Sequence, residues 1–585
     1  MNKKIVKNDL LDLLIIAVIL WSVLSGTTFS CASDIAIASP WVDSRAYESI
    51  NEAVANANGR KILKVFSPIV LKDNLTINCA IDISPGGQII QSKKFSLRFN
   101  GPTRLSDGSL VGFSTGQITF SRDAIDAVYT EWFAPTGKSD DVAINSAIKS
   151  ISSGTIKLRA KRYNISAPID LTTSTDITLE GISSFNNATE KNSTELYLLN
   201  DANCNIINVA SGSTNTNISL INLRLEGNKL NQSGSGPYAG INLAGTTQNR
   251  GTLQNIEVRN VKGYGIKNSQ RETTYRDVKV YANSSHGIYS TSSADIYMYN
   301  INCGWNGGSG LYIHGGGHYV YMLNSYGNGL DGLTIVNGIS NMVFGGETDV
   351  NKQCGVRLTT NSVKNYCRYN VLSGILSYDN SQSANNTYSN ICFDGDGYIQ
   401  DNFFSQSRFF NSEHVQKTKP KYMIADARTN AAYSGLPGYG THFSQCIVNS
   451  NPEFWGTRWV DTSFWGYASH KDNQDVYRGY PVEGLPYYTN QASGATFTIQ
   501  PFGKIYALKS IASEGTTACT LSKDFAYPGQ RITIVNMGTN TLTFKSVTEK
   551  HQLGGAAITL GQYDSITFIY ISDGWIREST TRNKP

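Results

Sequence analysis

Charged side chains are scarce in this chain of 585 residues, at 16 % against roughly a quarter in average soluble proteins. The formal net charge is only +5, and no run of Lys or Arg occurs beyond the amino terminus. A surface that follows a phosphate backbone needs clustered cations, so we do not expect nucleic acid as a partner. Low charge together with 54 Gly and 32 Tyr is instead typical of a β-rich extracellular protein.

Closely spaced metal ligands are also lacking. Neither a CxxC nor an HExxH spacing occurs, which excludes the common zinc motifs. The nine Cys are widely separated, and eight remain if Cys31 is removed with a leader. An even number permits disulfides in an exported chain. Because no tight framework spacing is present, we expect most of the cysteines to be small buried core residues.

Long apolar runs are absent except near the amino terminus. Residues 1–33 combine a basic start, an apolar run at 13–24 and small residues before Ser33. The run is shorter than the roughly 20 residues that a membrane-spanning helix needs. This pattern predicts a cleaved export signal, with an uncleaved anchor as the alternative and lipidation at Cys31 as a weaker one. The expected location is secreted, periplasmic or cell-surface.

A pair of Gly plus Ile, Leu or Val returns every 22 to 25 residues between 240 and 358. The glycines of the repeat are Gly240, Gly265, Gly287, Gly310, Gly332 and Gly355. Each repeat also holds a second apolar stretch, such as VKVY at 278–281 or IYMY at 296–299. Short apolar stretches between polar turns predict strands, and helical periodicity is missing. One repeat per coil describes a parallel β-helix whose coils stack about 4.8 Å apart.

Residues 132–166 predict a short amphipathic helix followed by a strand. The helical spacing i, i+3, i+4, i+7 is filled by Ile144, Ala147, Ile148 and Ile151. Asp140 or Asp141 is the predicted N-cap. This stretch resembles the opening of the pectate lyase superfamily, in its rhamnogalacturonase or epimerase-like branch, although Ala134 replaces the preferred Gly. The resemblance implies a right-handed β-helix and says little about function, because members include hydrolases, lyases, epimerases and non-enzymatic spikes.

The predicted fold is all-β: a right-handed single-stranded parallel β-helix with a small C-terminal β domain. The expected divisions are 1–33 for the export signal or anchor, 34–130 for an N-terminal β region or irregular first coils, 131–450 for the β-helix, 451–494 for an aromatic-rich connection and 495–585 for the C-terminal β domain. In the last region RITIVN and SITFIYI alternate as strands do. The aromatic-rich connection could close the rod or bind sugar rings.

The repeat predicts where side chains point. The residue after each Gly should face the core, while the residue before it and the one two after it should face outward. The first outward column is Ala239, Tyr264, His286, Ser309, Asp331 and Cys354. The second outward column is Asn242, Lys267, Tyr289, Tyr312, Thr334 and Arg357.

These columns join residue types that suit polysaccharide chemistry. Aromatic rings stack on sugars, and cations neutralise uronate carboxylates. A His or Tyr base could take the proton α to such a carboxylate. We interpret His286, Asp331 and Tyr289 as candidate catalytic residues. The candidate substrate-binding residues are Lys267, Tyr312, His314 and Arg357.

The HGI segment at 286–288 is similar to the Gly-His-Gly-Ile segment of polygalacturonases. In that family an Asn-x-Asp and an Asp-Asp on the preceding coils supply the acid and the base. Here the preceding coils offer KGYG and YAG, without a carboxylate, and a downstream Arg-x-Lys is missing. The sequence therefore does not support a polygalacturonase mechanism.

The leading hypothesis is an exported protein that cleaves or epimerises an acidic glycan on the Gly-Ile face. One alternative is a non-catalytic carbohydrate-binding surface or tailspike-like adhesin. Another is a glycoside hydrolase whose carboxylates lie elsewhere, such as Glu347, Asp349 or the aspartates at 394–401. Ca²⁺ is a candidate cofactor through FDGDGYIQD at 393–401. The expected partner is a polysaccharide or cell-surface glycan, a membrane enters only through an uncleaved anchor, and a homotrimer is a candidate assembly.

Overall fold

The computed structural model describes most of residues 39–410 and shorter segments beyond. The described ranges are 39–91, 94–133, 139–183, 192–210, 217–245, 250–291, 295–384, 387–410, 422–426, 442–449, 462–465, 491–492, 496–499, 505–510, 517–521, 529–536, 541–544, 551–552, 557–571 and 574–582. The predicted export segment at 1–33 and most of the aromatic-rich connection lie outside these ranges. In the described ranges, no helix has the length and apolar character needed to cross a membrane.

The described part of the chain starts with short parallel strands that form three small sheets. The first sheet contains Trp41–Asp43, Ile62–Val65, Ile81–Ile83 and Thr103–Leu105. The second contains Leu75–Ile77, Leu97–Phe99 and Ile118–Phe120, and the third contains Pro68–Leu71, Gln88–Gln91 and Leu110–Val111. Helix α1 (Ile50–Ala57) packs beside them and is capped by Ser49, whose hydroxyl accepts from the Glu52 amide at 3.2 Å.

Two long parallel sheets follow, each taking strands from successive coils. The Gly-Ile sheet has ten strands: Ile169–Asp170, Ile207–Val209, Tyr238–Leu243, Gly263–Asn268, Ile288–Ser290, Leu311–His314, Leu333–Val336, Val356–Thr360, Ser389–Gly395 and Tyr422–Asp426. The long sheet has sixteen: Ala127–Tyr129, Gly154–Lys157, Arg162–Ile165, Ile177–Glu180, Glu195–Leu198, Ser219–Glu226, Thr252–Arg259, Thr274–Tyr281, Ile296–Gly304, His318–Tyr326, Met342–Asp349, Val371–Tyr378, Phe403–Ser405, Arg408–Phe410, His442–Asn449 and Thr462–Trp465. Tyr366–Arg368 and Tyr398–Gln400 form a small extra sheet.

The register of the coils confirms the parallel β-helix. Ile266 pairs with Ile288, Ile288 with Leu311, and Leu311 with Leu333, so like residues stack at one phase. All four side chains are buried in a core that runs along the rod. Parallel crossovers are right-handed in nearly every protein because strands twist to the right. The rod is therefore a right-handed parallel β-helix, as the sequence predicts.

A ladder of buried asparagines explains the repeated glycines. The members of this asparagine ladder are Asn283, Asn306, Asn328, Asn351, Asn380 and Asn390. Each side-chain amide donates to the side-chain oxygen of the next member, which also accepts the backbone amide of the preceding asparagine. A Cβ on Gly287 would lie 2.8 Å from Asn306 Nδ2 and 2.6 Å from Gly310 O. The glycines from Gly265 to Gly355 therefore leave room for the asparagine ladder, whereas a Cβ on Gly240 would meet Val258 and the Gly265 carbonyl oxygen.

Helix α2 (Asp141–Lys149) forms where the sequence predicts it, but its two aspartates do not cap it. Asp140 occupies the N-cap position, yet its carboxylate accepts from the Asn164 amide at 2.7 Å. Asp141 accepts from the Ser166 amide at 2.9 Å. Both carboxylates therefore fasten the helix to the next strand. Asp140 is thus the N-cap residue that the sequence predicts, but its carboxylate binds the next strand and forms no capping hydrogen bond with the helix.

One cysteine pair departs from the expectation of core thiols. Cys354 and Cys392 form a disulfide between consecutive coils of the Gly-Ile sheet. Cys79, Cys303 and Cys367 are buried free thiols, as expected. A disulfide persists in oxidising compartments, so this bond agrees with the prediction of export.

The carboxyl-terminal strands form two further sheets with antiparallel pairs, consistent with the predicted C-terminal β domain. One sheet contains Gln491–Ala492, Ile505–Ser510, Arg531–Asn536, Ser565–Ile571, Gly574–Thr581 and His551–Gln552. The other contains Thr496–Ile499, Thr517–Leu521, Leu542–Phe544 and Ile558–Leu560. Their buried residues, including Phe544, Phe568 and Trp575, form a core cluster separate from that of the rod. The residue limits of the domains remain a prediction.

Replacing Asn306 with Ala tests the asparagine ladder. The change removes the acceptor of the backbone amide and of the side-chain amide of Asn283, and it removes the donor to Val280 O. Three unpaired buried groups should lower the free energy of unfolding by roughly 3 kcal/mol or more. Urea denaturation measures this, with exposed Ser284→Ala as the matched control. Equal unfolding midpoints for the two variants would contradict the assigned role of the ladder.

Candidate active site

The structure confirms the predicted columns on the Gly-Ile sheet. Lys267, Tyr289, Tyr312, Thr334 and Arg357 are paired in succession. Several side chains of these columns are nevertheless buried, because residues of neighbouring coils cover them. The buried members of the two columns are Ala239, Ser309, Asp331, Thr334 and Cys354. The expectation of two solvent-facing columns is wrong for these residues.

His286 is held as a neutral hydrogen-bond acceptor. Its Nδ1 accepts from the Ser309 backbone amide at 2.9 Å, which places the ring proton on Nε2. Burial lowers the pKa of His286 to about 4, although the charge of Asp331 opposes this shift. A neutral imidazole whose free lone pair is occupied by an amide is poorly suited to take a proton from substrate. This geometry favours a scaffold role, while the catalytic assignment of His286 remains a prediction.

Asp331 and Arg357 are brought together as an ion pair. Arg357 Nε lies 2.8 Å from Asp331 Oδ2, and the second Asp331 oxygen accepts from the Cys354 amide at 2.9 Å. The Thr334 hydroxyl also donates to Asp331 at 2.8 Å. Arg357 pairs on its other side with Asp394. Since Arg357 already binds both aspartates, it offers no free cation to a uronate, and Asp331 offers no free carboxylate to catalysis.

The tyrosines of the Gly-Ile face stack on one another. Tyr289 lies between Tyr264 and Tyr312, with ring centroids 4.9 Å apart on both sides. A ring covered on both faces presents only its edge and hydroxyl, so Tyr289 cannot stack on a sugar. Burial and Tyr264 raise the pKa of Tyr289, which weakens it as a base at neutral pH. Lys267 is exposed over the end of this stack, and His314 Nε2 lies 3.0 Å from Asn337 Nδ2.

A different cluster lies on the outer face of the long sheet, on the strand Met342–Asp349. Glu347 and Asp349 alternate with buried Thr348, so both carboxylates point outward. In the register, Asp349 stands between Tyr326 and Tyr378 of the adjacent coils. We call Glu347, Asp349, Tyr326, Tyr378 and Trp305 the carboxylate face.

One carboxyl group of this face, that of Asp349, has a raised pKa. Burial, followed by the charges of Glu347 and Asp379, raises the pKa of Asp349 to about 7. One oxygen of Asp349, Oδ1, is buried and makes no hydrogen bond. Glu347 instead accepts from the Tyr378 hydroxyl at 3.2 Å. A proton donor near neutral pH thus stands beside a second carboxylate.

Unpaired polar and aromatic groups flank the carboxylates. Asn324 is paired in register with Glu347, and its buried Oδ1 also lacks a hydrogen bond. Trp305 is 61 % exposed and meets Tyr326 edge-on, with ring centroids 4.8 Å apart at 88°. Its indole lies over Gly327 of the next coil, where a Cβ would come within 2.7 Å of the ring. An open indole beside an acid is suited to stacking on a sugar ring.

The sequence analysis names Glu347 and Asp349 only as carboxylates of an alternative glycoside hydrolase. It does not predict a role for Trp305, Tyr326 or Tyr378. These residues could have been found from the second apolar stretch of each repeat, which forms a strand of the long sheet. Counting along it at the repeat period would have placed Tyr326 beside Asp349.

The Ca²⁺ site considered at 393–401 has no support in the described residues. Asp394 is paired with Arg357, and Asp396 and Asp401 have partners of their own. Within the part of the chain that the structure describes, no group of three or more His, Cys, Asp or Glu is arranged to hold a metal ion. The structure therefore names no ligands for that cation.

No protein family profile and no curated protein matches the sequence. Among solved structures, the A-module of mannuronan C-5 epimerase AlgE6 from Azotobacter vinelandii is 17 % identical, with 59 % of this chain and 99 % of that chain covered and a TM-score of 0.43. The enzymatically active domain of tailspike protein 2 of bacteriophage CBA120 is 17 % identical, with 56 % and 47 % covered and a TM-score of 0.39. PfbA, a surface adhesin of Streptococcus pneumoniae, is 10 % identical, with 78 % and 99 % covered and a TM-score of 0.25. At these values, similarity carries no conclusion about activity, and membership of the pectate lyase superfamily remains a prediction.

The protonation of His286 can be measured directly. Because its pKa is lowered to about 4, its imidazole signals should not titrate between about pH 5 and 8, where an ordinary histidine changes charge. Histidine-labelled protein observed by NMR measures this, and His286→Gln identifies the signal among the seven histidines. A midpoint close to the ordinary value of about 6.5 would contradict the buried neutral state.

Proposed function

We propose that this protein hydrolyses glycosidic bonds of a polysaccharide at the carboxylate face. Asp349 is the general acid, and Glu347 is the second carboxyl group of the site. The observation that carries the proposal is the raised pKa of Asp349, about 7, beside a second carboxylate on the same strand. Two carboxyl groups whose environments separate their protonation are what glycoside hydrolysis requires.

The spacing of the two residues suits this reaction. Residues i and i+2 of a strand are separated by about 6.6 Å along the chain, which lies within the range of roughly 5 to 10 Å found between hydrolase carboxyls. Asp349 gives its proton to the glycosidic oxygen as the bond from that oxygen to the anomeric carbon breaks. Water then adds to the anomeric carbon, and Glu347 accepts the proton that this water loses. The products are two shorter chains, one with a new reducing end.

The charge of the face favours a neutral glycan over the acidic glycan expected from the sequence. Glu347 and Asp349 form no ion pair among the residues that the structure describes. A uronate chain would bring more carboxylates to this unneutralised site, where like charges repel. Exposed Trp305 provides stacking area that does not depend on charge.

Lyase or epimerase chemistry has less support from the geometry. Both reactions need a free base and a cation that offsets charge on the uronate. On the Gly-Ile face, His286 accepts an amide proton and Arg357 is paired with two aspartates. The groups that such chemistry needs are thus engaged with the protein.

The setting of the reaction is proposed to be outside the cytoplasm. The disulfide between Cys354 and Cys392 supports export into an oxidising compartment. A non-catalytic glycan binder is the second candidate, favoured by the exposed indole of Trp305. Binding of a polysaccharide without release of reducing ends would favour the non-catalytic glycan binder.

Replacing Asp349 with Asn should abolish most of the hydrolysis. Removal of the proton donor should lower kcat/KM by roughly 10² to 10⁴-fold on a neutral polysaccharide. In the unaltered protein, kcat/KM should fall as pH rises above about 7, because Asp349 then loses its proton. Reducing-end release from glucans, mannans and xylans measures both effects, with alginate and polygalacturonate as acidic comparisons.

The matched control is Asp295→Asn, which removes an exposed carboxylate from the preceding part of the rod. It should leave kcat/KM and its pH profile unchanged. Full activity of both Asp349→Asn and Glu347→Gln would overturn the site assignment.

Asp349→Asn should also change the pH dependence of stability. The folded pKa of Asp349 is raised to about 7 from an unfolded value of about 3.9, so its contribution to stability is lost as pH rises through this window. Asn lacks this loss. The thermal midpoint of the variant relative to the unaltered protein should therefore be higher at about pH 8 than at about pH 5. A difference that stays constant with pH would contradict the raised pKa of Asp349.

A further inference from the structure

A cavity of about 250 Å³ lies at the amino-terminal end of the rod, away from both faces discussed above. It is bounded by the first turn of helix α2, the turn Thr130–Trp132 and the start of the strand Arg162–Ile165. The side chains used in the argument are Asp107, Glu131, Phe133, Asp140, Lys161 and Tyr163. We call it the end cavity.

Glu131 is the least satisfied group of the end cavity. Its side chain is only 9 % exposed. One oxygen, Oε1, accepts from the Tyr163 hydroxyl, whereas the buried Oε2 makes no hydrogen bond. The Arg159 guanidinium is the cation beside Oε2, with Nε 3.9 Å away. A buried carboxylate oxygen without a donor is unfavourable unless a bound molecule supplies one.

The surrounding charges are nearly matched. Arg159 is 2.7 Å from Asp107, and Lys161 Nζ is 3.4 Å from Asp140 Oδ1. Lys161 also lies 4.3 Å from the centre of the Tyr163 ring. A strongly charged ligand would have to break one of these pairs. A neutral hydroxyl can donate to Glu131 Oε2 and leave them intact.

The lining combines apolar surface with a few convergent polar groups. Phe133 and Ala143 supply the apolar part, and Lys161 supplies an ammonium donor. This mixture is typical of sites for small polyhydroxylated molecules. The volume lies just below the range of about 300 to 1,000 Å³ of sites for larger ligands. It therefore suits a single sugar ring and not a chain.

We propose that the end cavity binds one neutral monosaccharide unit, with a sugar hydroxyl donating to Glu131 Oε2. The site is distinct from the carboxylate face and does not depend on its hydrolytic activity. In a rod that acts on a polymer, such a site would hold the terminal unit of a glycan far from the cleaved bond.

Saturation-transfer NMR tests this binding on the full chain with D-glucose, D-galactose, D-mannose and N-acetyl-D-glucosamine. D-glucuronate and D-glucosamine serve as charged comparisons. The protein carries Trp305→Ala, so that stacking on the carboxylate face does not contribute. At least one neutral sugar should give transfer signals, and the charged sugars should give weaker ones.

Two variants locate the binding. Ala143→Leu fills the cavity without changing charge, and Leu is a good helix former. Glu131→Gln replaces the free acceptor with an amide and should weaken binding roughly tenfold or more. Signals should disappear in Ala143→Leu, while both variants keep the thermal midpoint of the parent within a few degrees. Asp349→Asn, which is expected to lose hydrolysis, should keep the signals.

Absence of signals for all four neutral sugars in the parent would overturn the proposal. Equal signals in Ala143→Leu and the parent would overturn it as well, because binding would then lie elsewhere. If either variant unfolds, Lys161→Met provides the remaining comparison, since it removes a donor from a side chain that is 43 % exposed. Unchanged affinity in that variant would count against the site.

Discussion

From Asn283 to Asn380, a buried asparagine stands at one corner of each coil and hydrogen bonds to the asparagine of the neighbouring coil, and the glycine column beside it depends on this contact. The side-chain amide repeats the backbone ladder at a corner where the strands end. From Gly265 to Gly355, the buried amide and the neighbouring backbone oxygen leave no space for a Cβ on the facing strand, which requires glycine there. Most glycines of the Gly-Ile repeat are therefore required by buried asparagines that lie several residues away in the sequence.

Exact stacking of coils has a second consequence, because it places like residues in contact along the rod. On the Gly-Ile face this contact satisfies the side chains: tyrosine covers tyrosine, and Arg357 lies between two aspartates. On the long sheet, Asp349 lies two residues from Glu347 on one strand, and the same stacking places it between two tyrosines; none of the described cations pairs with it. Stacked columns thus form a surface of paired side chains on the Gly-Ile face and a pair of unneutralised carboxyl groups on the carboxylate face.

The period of the sequence was enough to predict the fold and the members of both outward columns, because strand register follows from repeat length. It could not predict which outward side chains bind each other. Asp331 and Arg357 meet across 26 residues because a long arginine side chain reaches back one coil, and alternation alone does not show this. Cys354 meets Cys392 after 38 residues because the intervening coil is longer than the repeat. Trp305 and Tyr326 lie outside the Gly-Ile strands, so the motif that predicts the fold does not predict their positions.

In such a rod, most buried polar groups form hydrogen bonds with the same group of the next coil. Buried polar groups without a hydrogen bond are therefore candidates for a functional role. Asn324 Oδ1 and Asp349 Oδ1 are buried without a hydrogen bond on adjacent coils of one face. Either residue could be replaced by an apolar side chain without disturbing the asparagine ladder or the inward core. Their retention is unfavourable for folding, since an unpaired buried polar group lowers stability. A bound molecule could supply the missing hydrogen-bond partners, and the exposed indole of Trp305, packed against Tyr326 of the same face, offers a surface for stacking on a sugar ring.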